Sequence, residues 1–190
     1  MNKKTRQNSG NRSGSPALGI DIGRVIISPV DADGADTQFL NGSEDEAMHT
    51  PASPGAFDAI AQLTRDFGGR VWIVSKCGPK VQARSRRWLQ HHDFHRLTGV
   101  PVEHLRFCRE RRDKALHARQ LRLTHFVDDR ADVLSHLAGL VEHRFLFGPQ
   151  RKPVPSWATP VMDWQATLAA ITRTRSDLAH DSRTVVERVS

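Results

Sequence analysis

Two short apolar runs in this chain end on carboxylates: Leu18-Gly19-Ile20 runs into Asp21, and His125-Phe126-Val127 into the pair Asp128-Asp129. Runs this short and this apolar, set among polar segments, read as buried strands. In an open parallel sheet the carboxyl ends of the strands line the crevice where such folds build their sites. Three carboxylates gathered at one edge repel each other unless a cation offsets their charge, and hard oxygen donors favour Mg²⁺. Any fold that sets these segments side by side therefore carries a candidate metal site.

The rest of the chain alternates strand and helix patterns. A first strand is expected over 17–27, its apolar positions running on through Val25-Ile26-Ile27, followed by a long loop over 28–53 placed to cover the site. Pro54 opens a helix to about Phe67, with Phe57, Ile60, Ala61 and Leu63 at helical spacing and Gly68-Gly69 as its stop. Val71-Trp72-Ile73-Val74 is a second strand ending at Ser75, and Pro79 to about His92 a helix whose Arg84, Arg86 and Arg87 form a solvated basic face. Leu105–Cys108 is a third strand. A helix from about Arg112 to Leu121, with Lys114 near its start, leads into the fourth strand, His125–Asp128. Asp132 caps a short helix, Arg144–Phe147 is a fifth strand, and a last helix runs from about Asp163 to Arg173. This order predicts a doubly wound α/β domain: five parallel core strands covered on both faces by right-handed crossovers. The domain is expected over 17–174, between a disordered basic tail at 1–16 and a frayed tail at 175–190.

The formal net charge of +7 favours anionic partners: a phosphorylated small molecule or a nucleotide, with nucleic acid also open. Cys77 and Cys108 form neither a disulfide framework nor a zinc pattern and read as structural thiols. The ten histidines show no metal-ligand spacing, and His91, His92 and His95 read as surface residues. No apolar run reaches the length of a membrane span, and the basic N-terminus lacks a secretory core, so a cytoplasmic protein without membrane contact is expected.

Asp21, Ser75, Lys114 and the Asp128-Asp129 pair, taken in order at strand and helix ends, resemble the four motifs of the haloacid dehalogenase (HAD) superfamily of phosphohydrolases. The resemblance spans roughly residues 17–148. It implies that Asp21 is the nucleophile that forms an aspartyl-phosphate, that Ser75 hydrogen-bonds a phosphoryl oxygen, and that Lys114 neutralises charge on both. It also implies a Mg²⁺ site made by Asp21, the backbone carbonyl of Gly23, Asp128 and Asp129. For Asp129 the residues leave a second role open, as the acidic partner of the following helix N-terminus. The spacings leave no room for a large cap domain, so a site with at most a small lid is expected.

One position departs from that pattern. Phosphatases of the family carry a second aspartate two residues after the nucleophile, which protonates the leaving group and then activates water; this chain has Gly23. Proton transfer of this kind contributes about 10²–10⁴-fold. Three routes around its loss are open: a leaving group that needs no acid, such as an acyl phosphate or anhydride; a substitute from the 28–53 loop (Asp45, Glu46 or His49); or a weakened protein that binds phosphate without turnover. A basic nucleic-acid-binding protein on the same fold is a further reading. Arg24 and Lys76, beside motif residues, read as solvated charges.

Overall fold

The computed structural model describes residues 15–28 and 37–187. Of the expected tails, 1–14 and 188–190 lie outside the described residues, as does the 29–36 part of the expected loop. The chain begins with strand β1 (Leu18–Ile20), followed by two short helices, α1 (Thr37–Asn41) and α2 (Glu44–His49), and by α3 (Ala56–Asp66). Next come β2 (Val71–Lys76), α4 (Pro79–His91), α5 (Phe94–Thr98) and β3 (Leu105–Cys108). The second half is α6 (Lys114–Gln120), β4 (His125–Asp128), α7 (Ala131–Ser135), β5 (His143–Phe147), β6 (Thr159–Val161) and α8 (Trp164–Glu187).

All six strands are parallel, in the order β3-β2-β1-β4-β5-β6. The chain builds outward from β1 to β3, then crosses to the other side of β1 and builds outward again from β4. The direction of winding therefore reverses between β1 and β4, which is where doubly wound sheets open a crevice. The alternation of side chains divides the core accordingly. Leu18, Ile20, Val71, Ile73, Val127, Phe145 and Phe147 pack on one face with residues of α3, α4, α5 and α8. Trp72, Val74, Phe126 and Leu146 pack on the other with residues that include Ala118 and Leu134 of α6 and α7. Right-handed crossovers demand this division, because the two halves of the sheet wind in opposite directions.

Several expectations change. The first strand is three residues long, not eleven. After it, Ile22–Ile27 turns tightly, with the Ile22 carbonyl accepting from the amides of Ile26 and Ile27 at 2.9 and 3.0 Å. Val25, Ile26 and Ile27 are buried as expected of apolar residues, but in a turn beneath α8, whose Trp164 indole donates to the Val25 carbonyl at 2.9 Å. A sixth strand, Thr159–Val161, extends the sheet beyond the five expected. It is short and two of its three residues are exposed, so it lacks the apolar run that marks a strand. The last helix continues to Glu187, past the expected end at Arg173. No helix among the described residues is long and apolar enough to cross a membrane.

The expected 28–53 loop carries two short helices, α1 and α2, among its described residues. Ser43 and Glu46 form a reciprocal capping box that starts α2. Arg84, expected on a solvated face, is buried instead, and its guanidinium donates to the carbonyls of Phe39, Leu40 and Gly42 at 2.7, 3.2 and 3.1 Å. These carbonyls lie at the end of α1, where helix geometry leaves acceptors without partners. Glu44 completes the docking with ion pairs to Arg84 (3.4 Å) and Arg87 (2.6 Å). His92 is not a free surface residue either: its Nε2 donates to the Met48 carbonyl at 2.8 Å.

Gly19 marks the tightest packing of the sheet centre. A Cβ there would lie 2.6 Å from the Phe126 ring and 2.7 Å from a Leu123 methyl. Gly19→Ala is therefore expected to cost about 1–3 kcal/mol through overpacking, read as a lowered urea midpoint with an unchanged slope. A wild-type midpoint would show that Phe126 and Leu123 move aside freely.

Candidate active site

The parallel register sets Ile20 opposite Val127 on one side and Ile73 on the other. One residue further along, Asp21 follows β1 and Asp128 ends the neighbouring β4 at the switch point, and Ser75 is the last residue but one of β2 at the same edge. The Asp21 amide donates to the Val127 carbonyl at 3.0 Å, which holds the two strand ends in step just before their carboxylates. Carboxylate oxygens of Asp21, Asp128 and Asp129 all lie within 4.8 Å of one another.

Lys114 enters this cluster from the first residue of α6. Its ammonium lies 2.8 Å from Oδ1 of Asp21 and 2.7 Å from Oδ2 of Asp128, and the residue is only 2% exposed. Burial works against the charged ammonium, but the carboxylates of Asp128 and Asp21 outweigh it and hold the lysine pKa above its ordinary value. Lys114 is therefore a fixed cation at the floor of the site.

The acidic pair is strained electrostatically. Burial pushes Asp128 up to about 7, Lys114 pulls against that, and the charges of Asp21 and Asp129 add to it. Asp129 is pushed up to about 6, mainly by burial and by Asp21, against the pull of Arg24 and Arg130. The backbone following the pair helps to hold it, since the Arg130 amide donates to Asp128 Oδ1 at 3.0 Å. The donor set suits a hard cation. Three carboxylate oxygens drawn to within 4.8 Å of one another are oxygen donors of the type Mg²⁺ takes. Asp21, Asp128 and Asp129 are the side chains able to hold such an ion, and Gly23 follows two residues after Asp21 in the turn.

Asp129 faces the cluster and Arg24 rather than serving as a cap for α7. Nor does Asp132 cap that helix: Arg130 stands at the cap position, and Asp132 in the first turn pairs with Arg130 at 3.1 Å and Arg111 at 3.4 Å. Arg24, read from sequence as a solvated charge, has its Nε 3.5 Å from Asp129 Oδ2 with its side chain 40% exposed. Its backbone is left-handed, with φ of 61°, which no sequence pattern signals. A cation thus stands at the mouth of the site as well as at its floor.

The expected substitutes for the missing acid, Asp45, Glu46 and His49, are engaged elsewhere. Glu46 accepts from the Ser43 amide at 2.7 Å, and Asp45 lies 3.7 Å from His49. The His49 ring packs 6.1 Å from that of His91, the last residue of α4. That helix leaves the carboxyl edge of the sheet at Pro79 and has 13 residues, so its far end lies roughly 20 Å away along its axis. The two cysteines fit their structural reading. Both are buried, burial pushes the Cys108 thiol up to about 11, and Cys108 Sγ donates to the Ser75 carbonyl at 3.7 Å.

Beside the carboxylates, at the same edge, a cleft of about 440 Å³ is lined by Lys76, Glu110, Arg111, Arg112, Asp132 and His136. Arg130 links it to the cluster, since its amide binds Asp128 and its guanidinium Asp132. Among the described residues, Lys76 and Arg112 have no carboxylate partner within ion-pair distance.

The sequence matches no family model, and no curated protein matches it. A solved structure does match: a protein of Burkholderia xenovorans LB400 assigned to the haloacid dehalogenase-like hydrolases, with a TM-score of 0.54 and 11% identity, over 82% of this chain and 95% of that one. At that identity the likeness is one of fold. The six-stranded parallel sheet with flanking helices is a Rossmann-like α/β fold, like that of the matched structure.

The raised pKa values set the sign of a metal titration. Below about pH 7 Asp128 takes up a proton, and below about pH 6 Asp129 does so as well; each proton must leave before the oxygen can ligate. Mg²⁺ affinity measured calorimetrically should therefore weaken from about pH 8 to about pH 5, approaching tenfold per pH unit where one proton is displaced. Affinity flat across that range would contradict the cluster as the binding site.

Proposed function

We propose that the chain is a Mg²⁺-dependent phosphohydrolase that uses Asp21 as nucleophile on a phosphorylated small molecule or nucleotide. The single observation that carries this reading is the convergence at the switch point: one carboxylate at the end of β1, two at the end of β4, and a buried ammonium between them. An ion-pair network built only for stability gains little from so much buried like charge, because desolvation opposes it. A phosphoryl-transfer site needs that arrangement, since a carboxylate nucleophile and a dianionic phosphoryl group repel each other until cations offset both.

In this reading Lys114 holds Asp21 in place at its Oδ1, which leaves the second oxygen to attack phosphorus. The same ammonium neutralises charge that spreads over the phosphoryl oxygens. Ser75, at the neighbouring strand end, donates its hydroxyl to one of those oxygens. A Mg²⁺ held by Asp21, Asp128, Asp129 and the Gly23 carbonyl would supply the remaining positive charge. The cleft bounded by Lys76 and Arg112 gives the rest of an anionic substrate a place beside the reacting group. Gly23 favours a second reading, a phosphate-binding protein in which turnover is lost but Mg²⁺ and ligand binding persist.

Purified protein with Mg²⁺ should release phosphate from at least one member of a panel of phosphate esters, acyl phosphates and nucleotides. Asp21→Asn should abolish that release. Activity that survives the substitution would exclude the mechanism, and ligand binding without any turnover would favour the second reading.

A further inference from the structure

We infer that the cleft beside the carboxylates seats a second phosphate of the substrate on Lys76 and Arg112, so that the chain takes bisphosphorylated small molecules. This substrate class rests on the reading of Asp21 as the phosphoryl acceptor.

Three elements join the cleft to the reacting centre. Arg130 touches both: its amide donates to Asp128 Oδ1 at 3.0 Å, and its guanidinium to Asp132 Oδ1, in the cleft wall, at 3.1 Å. Arg111 and Arg112 lie just before α6, whose Lys114 stands between Asp21 and Asp128. Lys76 follows Ser75 and ends β2. Side chains alternate along a strand, so Lys76 leaves the sheet on the face of Val74, which packs with Ala118 of α6 and Leu134 of α7. Lys114 enters the site from that same face, its ammonium 5.7 Å from the centre of the Phe126 ring. A substrate whose phosphoryl group meets Asp21 and Lys114 therefore extends into the cleft without crossing the sheet.

The charges of the cleft select its ligand. Among the described residues, Lys76, Arg111 and Arg112 line it against two carboxylates, Glu110 and Asp132, and both carboxylates are taken. Asp132 lies 3.4 Å from Arg111 and 3.1 Å from Arg130. Glu110 accepts from the Asp113 amide in a reciprocal capping box, while Asp113 Oδ2 accepts from the Glu110 amide at 3.3 Å. That box fixes the turn carrying Arg111 and Arg112 before any ligand arrives. Lys76 and Arg112 are left to meet an anion, and two cations suit a dianion. A guanidinium presents a fork to two phosphate oxygens, and an ammonium adds a point charge. Among the described residues, no aliphatic side chain and no ring except that of His136 lines the cleft, so it offers little to a nucleobase or an acyl chain. A compact, doubly charged group is what it fits.

A series of α,ω-alkanediol bisphosphates, from ethanediol to hexanediol, tests this beside the matching alkyl monophosphates, with Mg²⁺ present. Affinity is read by calorimetry, and kcat/KM wherever phosphate is released. At least one bisphosphate should be preferred over its monophosphate by about tenfold or more. Lys76→Met and Arg112→Met should each cut that preference roughly three- to tenfold. Both side chains are exposed, so neither substitution threatens the fold. Arg119→Met removes the same charge from the exposed last turn of α6 and should keep the wild-type preference. An ω-phosphooxy carboxylate of the same length brings a smaller second charge and should fall between the two. The inference is overturned if no length of bisphosphate is preferred, or if the preference survives both cleft variants. Equal loss in Arg119→Met, or a carboxylate bound as tightly as the second phosphate, would also overturn it. Turnover of monophosphates in any of these cases leaves the Asp21 reading intact. Preferred binding of a bisphosphate, with no turnover of any ester, acyl phosphate or nucleotide, would instead remove the Asp21 reading and keep the cleft's ligand.

Discussion

The ammonium of Lys114, held between the carboxylates of Asp21 and Asp128, is the interaction on which the site depends. Each of its partners is fixed by a different part of the fold. Asp21 sits at the end of β1, Asp128 at the end of β4, and Lys114 on the first turn of the helix that crosses between β3 and β4. Removing a charge of this size from water is costly, and only two carboxylates at contact distance offset it. The register of β1 against β4 and the start of α6 must therefore agree to within a fraction of a turn. Sheet geometry, crossover and site are one constraint seen at three scales.

Charge balance across the site follows from that constraint. Three carboxylates meet two cations, Lys114 at the floor and Arg24 at the mouth, so the cluster keeps one net negative charge before anything binds. Burial, with the mutual repulsion of the carboxylates added to it, raises the pKa values of Asp128 and Asp129. A divalent cation would relieve it, and a phosphoryl group would then bring negative charge back toward Lys114. The two cations differ in what they can do: one is locked by contact on both sides, the other reaches solvent.

Much of this was legible in the sequence because it depends on chain order. Asp21, Ser75, Lys114 and Asp128-Asp129 each follow or precede an apolar run, and parallel winding brings such positions to one edge. The rest depends on geometry that apolar pattern does not encode. Val25-Ile26-Ile27 is as apolar as a strand, yet the chain turns at Ile22 because the core needs those residues beneath Trp164. Arg84 looks like any surface arginine of a basic helix until α1 places three carbonyls above it. β6 has no apolar run to announce it, and Arg24 gains its place through a left-handed backbone that nothing in Gly23-Arg24-Val25 requires.

In the proposed mechanism the carboxylate cluster accepts a phosphoryl group on Asp21 with a divalent cation alongside. A crystal structure of the protein with Mg²⁺ and fluoroberyllate tests it most directly. Beryllium is expected to be bonded to an Asp21 oxygen, with fluorines within hydrogen-bonding reach of Lys114 and Ser75 and a metal ion ligated by Asp128 and Asp129. Fluoroberyllate absent from Asp21, or a metal seated away from the acidic pair, would contradict it.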